Sequence, residues 1–175
     1  MSDPATLRLA EPLVDGVMGA FRNLFPEKLK TVEESYSDDF IELTLPADGA
    51  YLPGIRSRAM LPSVPAVMFD VPSGDMLEGT ETVSGAESGV WETNASILVW
   101  FCVEHPDIEK LPRIMWRYVR AGQLVFLDYE SNGLAELGYA PLAFAQDYMP
   151  TLYNEAENLY GRDAHLIAKI YSMEG

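Results

Sequence analysis

Ala95-Ser-Ile-Leu-Val-Trp-Phe-Cys-Val-Glu104, then His105-Pro-Asp107, then Leu111-Pro-Arg-Ile-Met-Trp-Arg-Tyr-Val-Arg120 is the stretch on which the fold turns. The first run is almost continuously apolar and rich in β-branched and aromatic residues, which fits a buried strand better than a helix. Ile97, Val99 and Phe101 should lie on the face opposite Leu98, Trp100 and Cys102. Pro106 ends the ladder, because it has no N–H and fixes φ. Beyond it, Ile108, Leu111, Met115, Tyr118, Val119 and Gly122 follow one helical face, so a helix is expected near 107–121. Pro112 is tolerated only if that helix starts late, at Leu111. Gly122 reads as its stop, and Leu124-Val-Phe-Leu-Asp-Tyr129 as a returning strand near 123–129.

The other side of this helix carries Lys110, Arg113, Arg117 and Arg120, a stripe opposite the apolar one. Four of the twelve Lys and Arg fall there, in a chain with 27 acidic residues and a formal charge of −15. Such a stripe is either a solvated face or a docking surface for an acidic partner, another copy of the same chain included.

Outward from this centre, Leu13, Val17, Phe21, Leu24 and Phe25 predict a first helix near 11–25, ended or kinked at Pro26. Phe40-Ile-Glu-Leu-Thr-Leu45 alternates and reads as a strand with Ile41, Leu43 and Leu45 inward. Residues 46–65 hold four prolines and form a first long arm, with Arg56 and Arg58 as a small basic spot. A short strand is expected at 66–71. Residues 72–89 contain Asp75, Glu78, Glu81 and Glu87 and no Lys or Arg, and read as a long acidic loop. The central strand should span 90–104. Residues 134–161 alternate short apolar patches with Pro and Gly; Leu152 to Leu159 reads as a short helix capped by Thr151. The last strand is expected at 165–173.

The whole, 1–175, reads as a single domain of α+β class: a mostly antiparallel sheet, two helices packed on one face, and long loop arms. No apolar run reaches the roughly 20 residues of a membrane span. The first residues, with Asp3 and Glu11, lack the basic and apolar regions of a signal peptide. Cys102 cannot form an internal disulfide and sits in an apolar strand, which disfavours a reactive thiol. The acidic balance argues against coating nucleic acid but suits a conduit whose wall repels phosphate.

Motifs for chemistry are missing. The sequence has no G-x-S-x-G, Walker A loop, G-x-G-x-x-G or H-E-x-x-H. Cys102 and His105 have a metal-like gap without a second pair, and Glu33-Glu34 with Asp38-Asp39 reads as a solvated acidic patch. No catalytic residue, cofactor or metal is therefore expected.

The order helix, strands, then strand–helix–strand with two long arms resembles the tail terminator (tail-to-head joining) proteins of long-tailed bacteriophages. The likeness rests on Ala95–Tyr129, with Pro106-Asp107 in the break and Leu111–Arg120 as the second helix, and on the position of the first helix. It covers about two thirds of the chain, and it is a likeness of pattern rather than of a specific motif. It implies a non-enzymatic virion protein that forms a ring, usually of six copies. The ring caps the tail tube, meets the tail tube protein and the head connector, and lets DNA pass without specific binding. On that reading the stripe Lys110, Arg113, Arg117 and Arg120 meets a neighbour, and Asp75, Glu78, Glu81 and Glu87 line the lumen or face the next ring. The alternatives are another phage connector, such as a head- or tail-completion protein, or a small cytoplasmic ligand-binding protein or enzyme with a pocket lined by Trp91, Trp100 and Trp116.

Overall fold

A computed structural model describes residues 4–36, 41–71, 82–85 and 91–174, with the side chains of 4–10, 82–85, 91–94 and 172–174 left aside. The elements in order are α1 (Pro4–Ser35), β1 (Tyr51–Pro53), β2 (Ala66–Asp70), β3 (Thr82–Gly85), β4 (Trp91–His105), α2 (Leu111–Leu127), β5 (Tyr139–Tyr148), β6 (Leu152–Asn154) and β7 (Leu159–Glu174). The strands form one sheet of order β1-β2-β4-β7-β5, with β3 also on β4 and β6 also on β7. Only β1 and β2 run parallel; the other pairs are antiparallel. The class is α+β, as the sequence pattern implies.

β4 is the axis of the sheet. Every residue from Trp91 to His105 has a partner on β7, Glu174 to Tyr160. Ile97, Val99, Phe101 and Val103 join the core beneath both helices, whereas Cys102 packs on the far side with Ala66 and Met68. The two-residue alternation is therefore as expected, and Leu111, Met115 and Tyr118 are buried over the first set. Phe21 and Phe25 of α1 meet Phe101 with ring centroids 6.3 and 5.7 Å away.

Several expectations are overturned. Residues 123–129 are not a strand: α2 begins at Leu111, as Pro112 requires, but runs through Gly122 to Leu127. Val125 and Phe126 continue the buried face set by Leu111, Met115 and Tyr118. Gly122 serves packing, since a Cβ there would stand 2.7 Å from Phe101 Cζ and 3.2 Å from Leu166 Cδ2. The helix end is instead closed by Asn132, whose Nδ2 donates to the carbonyls of Val125 (3.2 Å) and Phe126 (3.1 Å). Lys28 of α1 pairs with Asp128 at 2.7 Å, tying the two helices at that end.

Likewise α1 passes through Pro26 instead of ending there. Its apolar stripe continues to Leu29 and Val32, both buried, and that packing offsets the lost hydrogen bond. The segment 41–45 is extended but joins no ladder. Ile41 and Leu43 point inward as the alternation demands, but Leu45, expected beside them, is exposed. The backbone is held by side chains: Leu43 N–H donates to Glu33 Oε2 at 2.7 Å, and Tyr118 Oη donates to the Thr44 carbonyl. Residues 46–65 are not a loose arm. They carry two single-turn 3-10 helices and β1, and bury Ala50, Tyr51 and Leu52 against the sheet. Part of the expected acidic loop is a strand, because Thr82–Gly85 pairs with Trp91–Asn94.

Leu152–Leu159 is not a helix but a hairpin of β6 and the start of β7. Turn chemistry decided it. Asn154 Oδ1 accepts the Ala156 N–H at 3.1 Å, and Asn158 takes the left-handed conformation at φ 53°. β5, unforeseen because Pro141 lies inside it and Pro150 just beyond its end, is an edge strand with a bulge between Pro141 and Ala143, which is where a strand proline is tolerated.

Candidate functional site

Two surface sites emerge, one on each side of the sheet. The first lies on the outer face of α2, where Tyr36, Arg113, Trp116, Arg117 and Arg120 line a shallow groove of about 330 Å³. The expected four-residue stripe is only partly present. Arg113 and Arg120 are exposed and make no ion pair with a described residue. Arg120 instead donates to Gln123 Oε1 at 3.3 Å. Lys110 is exposed but lies just before the helix and does not line the groove.

Arg117 corrects the expectation outright. It is 5 % exposed, and its guanidinium lies 4.1 Å from the Tyr36 ring centroid. A guanidinium spreads its charge over a flat plane and stacks on an aromatic face at modest desolvation cost, so Arg117 is structural as well as basic. In turn Trp116, 52 % exposed, stands between Arg113 and Arg120 on the groove wall. Tyr36 and Trp116 were not part of the predicted stripe. The signal was available: Trp116 sits one turn from both Arg113 and Arg120, a mixture of residue types that dominates binding surfaces.

The second site is a cleft of about 800 Å³ on the far side of the sheet, between residues 58–64 and the β6–β7 hairpin. Arg58 is its anchor. Its Nη2 donates to Asp163 Oδ1 at 2.5 Å and to the Val103 carbonyl at 3.1 Å, and Glu104 Oε2 stands 4.0 Å from Nη1. Asp163 Oδ2 accepts the Trp100 Nε1–H at 3.0 Å, and the Trp100 ring sits edge-on to His165 with centroids 4.0 Å apart. The guanidinium lies over Gly161, where a Cβ would come 2.8 Å from Arg58 Cζ. Burial pushes the Glu104 carboxyl up, against the pull of Arg58, and Glu157 adds to the rise. Burial likewise pushes the His165 imidazole down, with Asp147 and Asp163 opposing it. This network absorbs the basic spot seen at Arg58; Arg56 does not line the cleft.

The remaining expected residues are dispersed. Trp100 and Trp116 lie on opposite sides of the sheet and share no pocket, and the Trp91 side chain lies outside the described residues. Asp75, Glu78, Glu81 and Glu87 also lie outside them, as do Asp38 and Asp39. Glu33 is engaged by the Leu43 N–H. Burial and the nearby Asp163 carboxylate push the Cys102 thiol up to about 12, which leaves it protonated and unreactive at neutral pH. His105 Nδ1 accepts the Asp107 N–H at 2.9 Å and shapes the turn into α2. Among the described residues no cluster of three His, Cys, Asp or Glu is placed to hold a metal, and no helix is long and apolar enough to cross a membrane.

No protein-family model matches this chain, and no curated protein matches it in sequence.

Proposed function

We propose that this chain is a non-enzymatic structural protein of a long-tailed phage virion, a tail terminator that assembles as a ring at the head–tail junction. The reading is supported above all by the groove on α2. Exposed Trp116, flanked by Arg113 and Arg120 and backed by Tyr36, has the composition of a protein-binding surface on a chain of charge −15. The two helices on one face of a mostly antiparallel sheet agree with the family pattern, and the acidic balance suits a channel through which DNA slides. The ring, of about six copies, would meet the tail tube protein on one side and the head connector on the other.

The test is the mass of the purified protein across concentration, together with negative-stain images. A closed ring with a hole wide enough for duplex DNA is the expected result. A monomer at every concentration, both alone and with tail tubes, would overturn the reading. The Arg58 cleft favours a second reading, a small ligand-binding protein. A melting temperature raised by a particular metabolite and abolished in Arg58→Met would support that instead.

A further inference from the structure

The groove on α2 is concave, basic and aromatic. The turn of the β6–β7 hairpin has the opposite character. Residues 152–158 are exposed without interruption, with Leu152 at 60 % and Tyr153 at 50 %. Glu155 and Glu157 lie on it, and no Lys or Arg occurs between Arg120 and Arg162. The hairpin also projects. The last rung of β4 on β7 is His105 with Tyr160, and the last rung of β5 is Tyr148 with Ala164, so within the sheet Leu159 and the residues before it pair with β6 alone, and one side of the hairpin walls the cleft opposite residues 58–64.

The projection is pre-formed. Tyr153 Oη donates to Asn158 Oδ1 at 2.8 Å, and the Tyr153 and Tyr160 rings lie 4.8 Å apart. A contact element already held in one shape loses little entropy on docking. No hairpin residue lines the groove of its own chain. Resting on the ring reading above, we propose that the hairpin Leu152–Tyr160 of one copy seats in the Tyr36, Arg113, Trp116 and Arg120 groove of the next. Leu152 and Tyr153 pack on Trp116, while Glu155 and Glu157 face Arg113 and Arg120. A contact between two different patches is heterologous and repeats from copy to copy, closing a ring when the rotation closes.

Two charge-reversed proteins test this: R113E/R120E, with an acidic groove, and E155R/E157R, with a basic hairpin. All four positions are exposed, so both proteins should melt like wild type. Wild type should assemble, and each variant alone should assemble at least tenfold more weakly, because its groove and hairpin repel. The equimolar mixture should assemble again, the acidic groove of one variant taking the basic hairpin of the other. Wild-type assembly should also weaken with added salt.

If either variant assembles as well as wild type, the contact is wrong while the ring reading stands. If the variants fail and the mixture fails too, groove and hairpin are not partners. A wild type that stays monomeric overturns both ideas. Should a reversed variant melt early, R113Q/R120Q and E155Q/E157Q replace the pair. Each is then expected to weaken assembly about tenfold and to reduce its salt dependence; no change in either would overturn the proposal.

Discussion

The two sides of the sheet solve different problems. Toward the helices, Phe21, Phe25, Phe69, Phe101, Phe126 and Tyr118 are all fully buried, and they meet one another edge to face, tilted or, for Phe25 and Phe101, stacked. On the far side, Arg58, Asp163, Trp100 and His165 form a half-buried polar network, with only a small apolar cluster around Ala50, Leu52, Ala66, Met68 and Cys102. Apolar burial is non-directional and grows with area, so the helix side carries the stability. Hydrogen bonds and ion pairs add little net energy but demand geometry, so the far side holds the 58–64 segment and the hairpin in place.

The contrast makes the helix side the place of largest loss. Phe101→Ala should cost about 3–5 kcal/mol, because it removes a fully buried ring that two phenylalanines of α1 contact. Urea unfolding would measure it, and a loss below about 1 kcal/mol would break the comparison. Gly122→Val should cost roughly 1–3 kcal/mol by overpacking against Phe101. A loss below about 0.5 kcal/mol would mean that Phe101 and Leu166 can move aside and that the close approach at Gly122 is not needed.

Asp163→Ala should fall below Phe101→Ala, at about 1–3 kcal/mol, since it strips both Arg58 and Trp100 of an ionised acceptor. It should also free the hairpin, seen as faster amide exchange at Gly161 and Met149; the Met149 N–H donates to the Asp163 carbonyl at 2.9 Å. Equal protection in the variant would separate the network from the hairpin.

His165 sharpens the comparison through pH. Burial lowers its folded pKa, so the folded protein binds fewer protons than the unfolded chain as the pH falls through the ordinary histidine range. Its share of stability is therefore whole above about pH 6.5 and is lost below it. Glu104, raised by burial, acts in the opposite sense near its own range, gaining stability as it protonates. His165→Gln should flatten the fall in unfolding midpoint between about pH 7.5 and 5.5. An unchanged slope would assign that fall to other groups.

Smallest is Arg113→Ala, expected within about 0.5 kcal/mol of wild type in unfolding, whereas Arg117→Ala should be clearly destabilising through the loss of its stacking on Tyr36. Paired thermal melts would show whether the stripe divides as its burial implies.

Much of this was legible in the chain. The period of two in Ile97–Cys102 and the apolar face of Leu111, Met115 and Tyr118 settled the central strand, the second helix and their mutual packing, because burial periodicity is a local property. The residue types of the basic face were equally plain. What the sequence could not determine was how each local option was resolved. Gly122 can end a helix or admit a close phenylalanine, and only Phe101 beneath it decides. Asn154 to Asn158 differs, since its hairpin is local and its own turn decides it: Asn154 Oδ1 accepts the Ala156 N–H and Asn158 takes the left-handed conformation. Arg113 and Arg117 look alike in sequence, yet the Tyr36 ring at the end of α1 covers one and leaves the other in solvent. The outcomes at Gly122 and Arg117 depend on residues tens of positions away, Phe101 and Tyr36, so they became visible only when the fold brought those residues together.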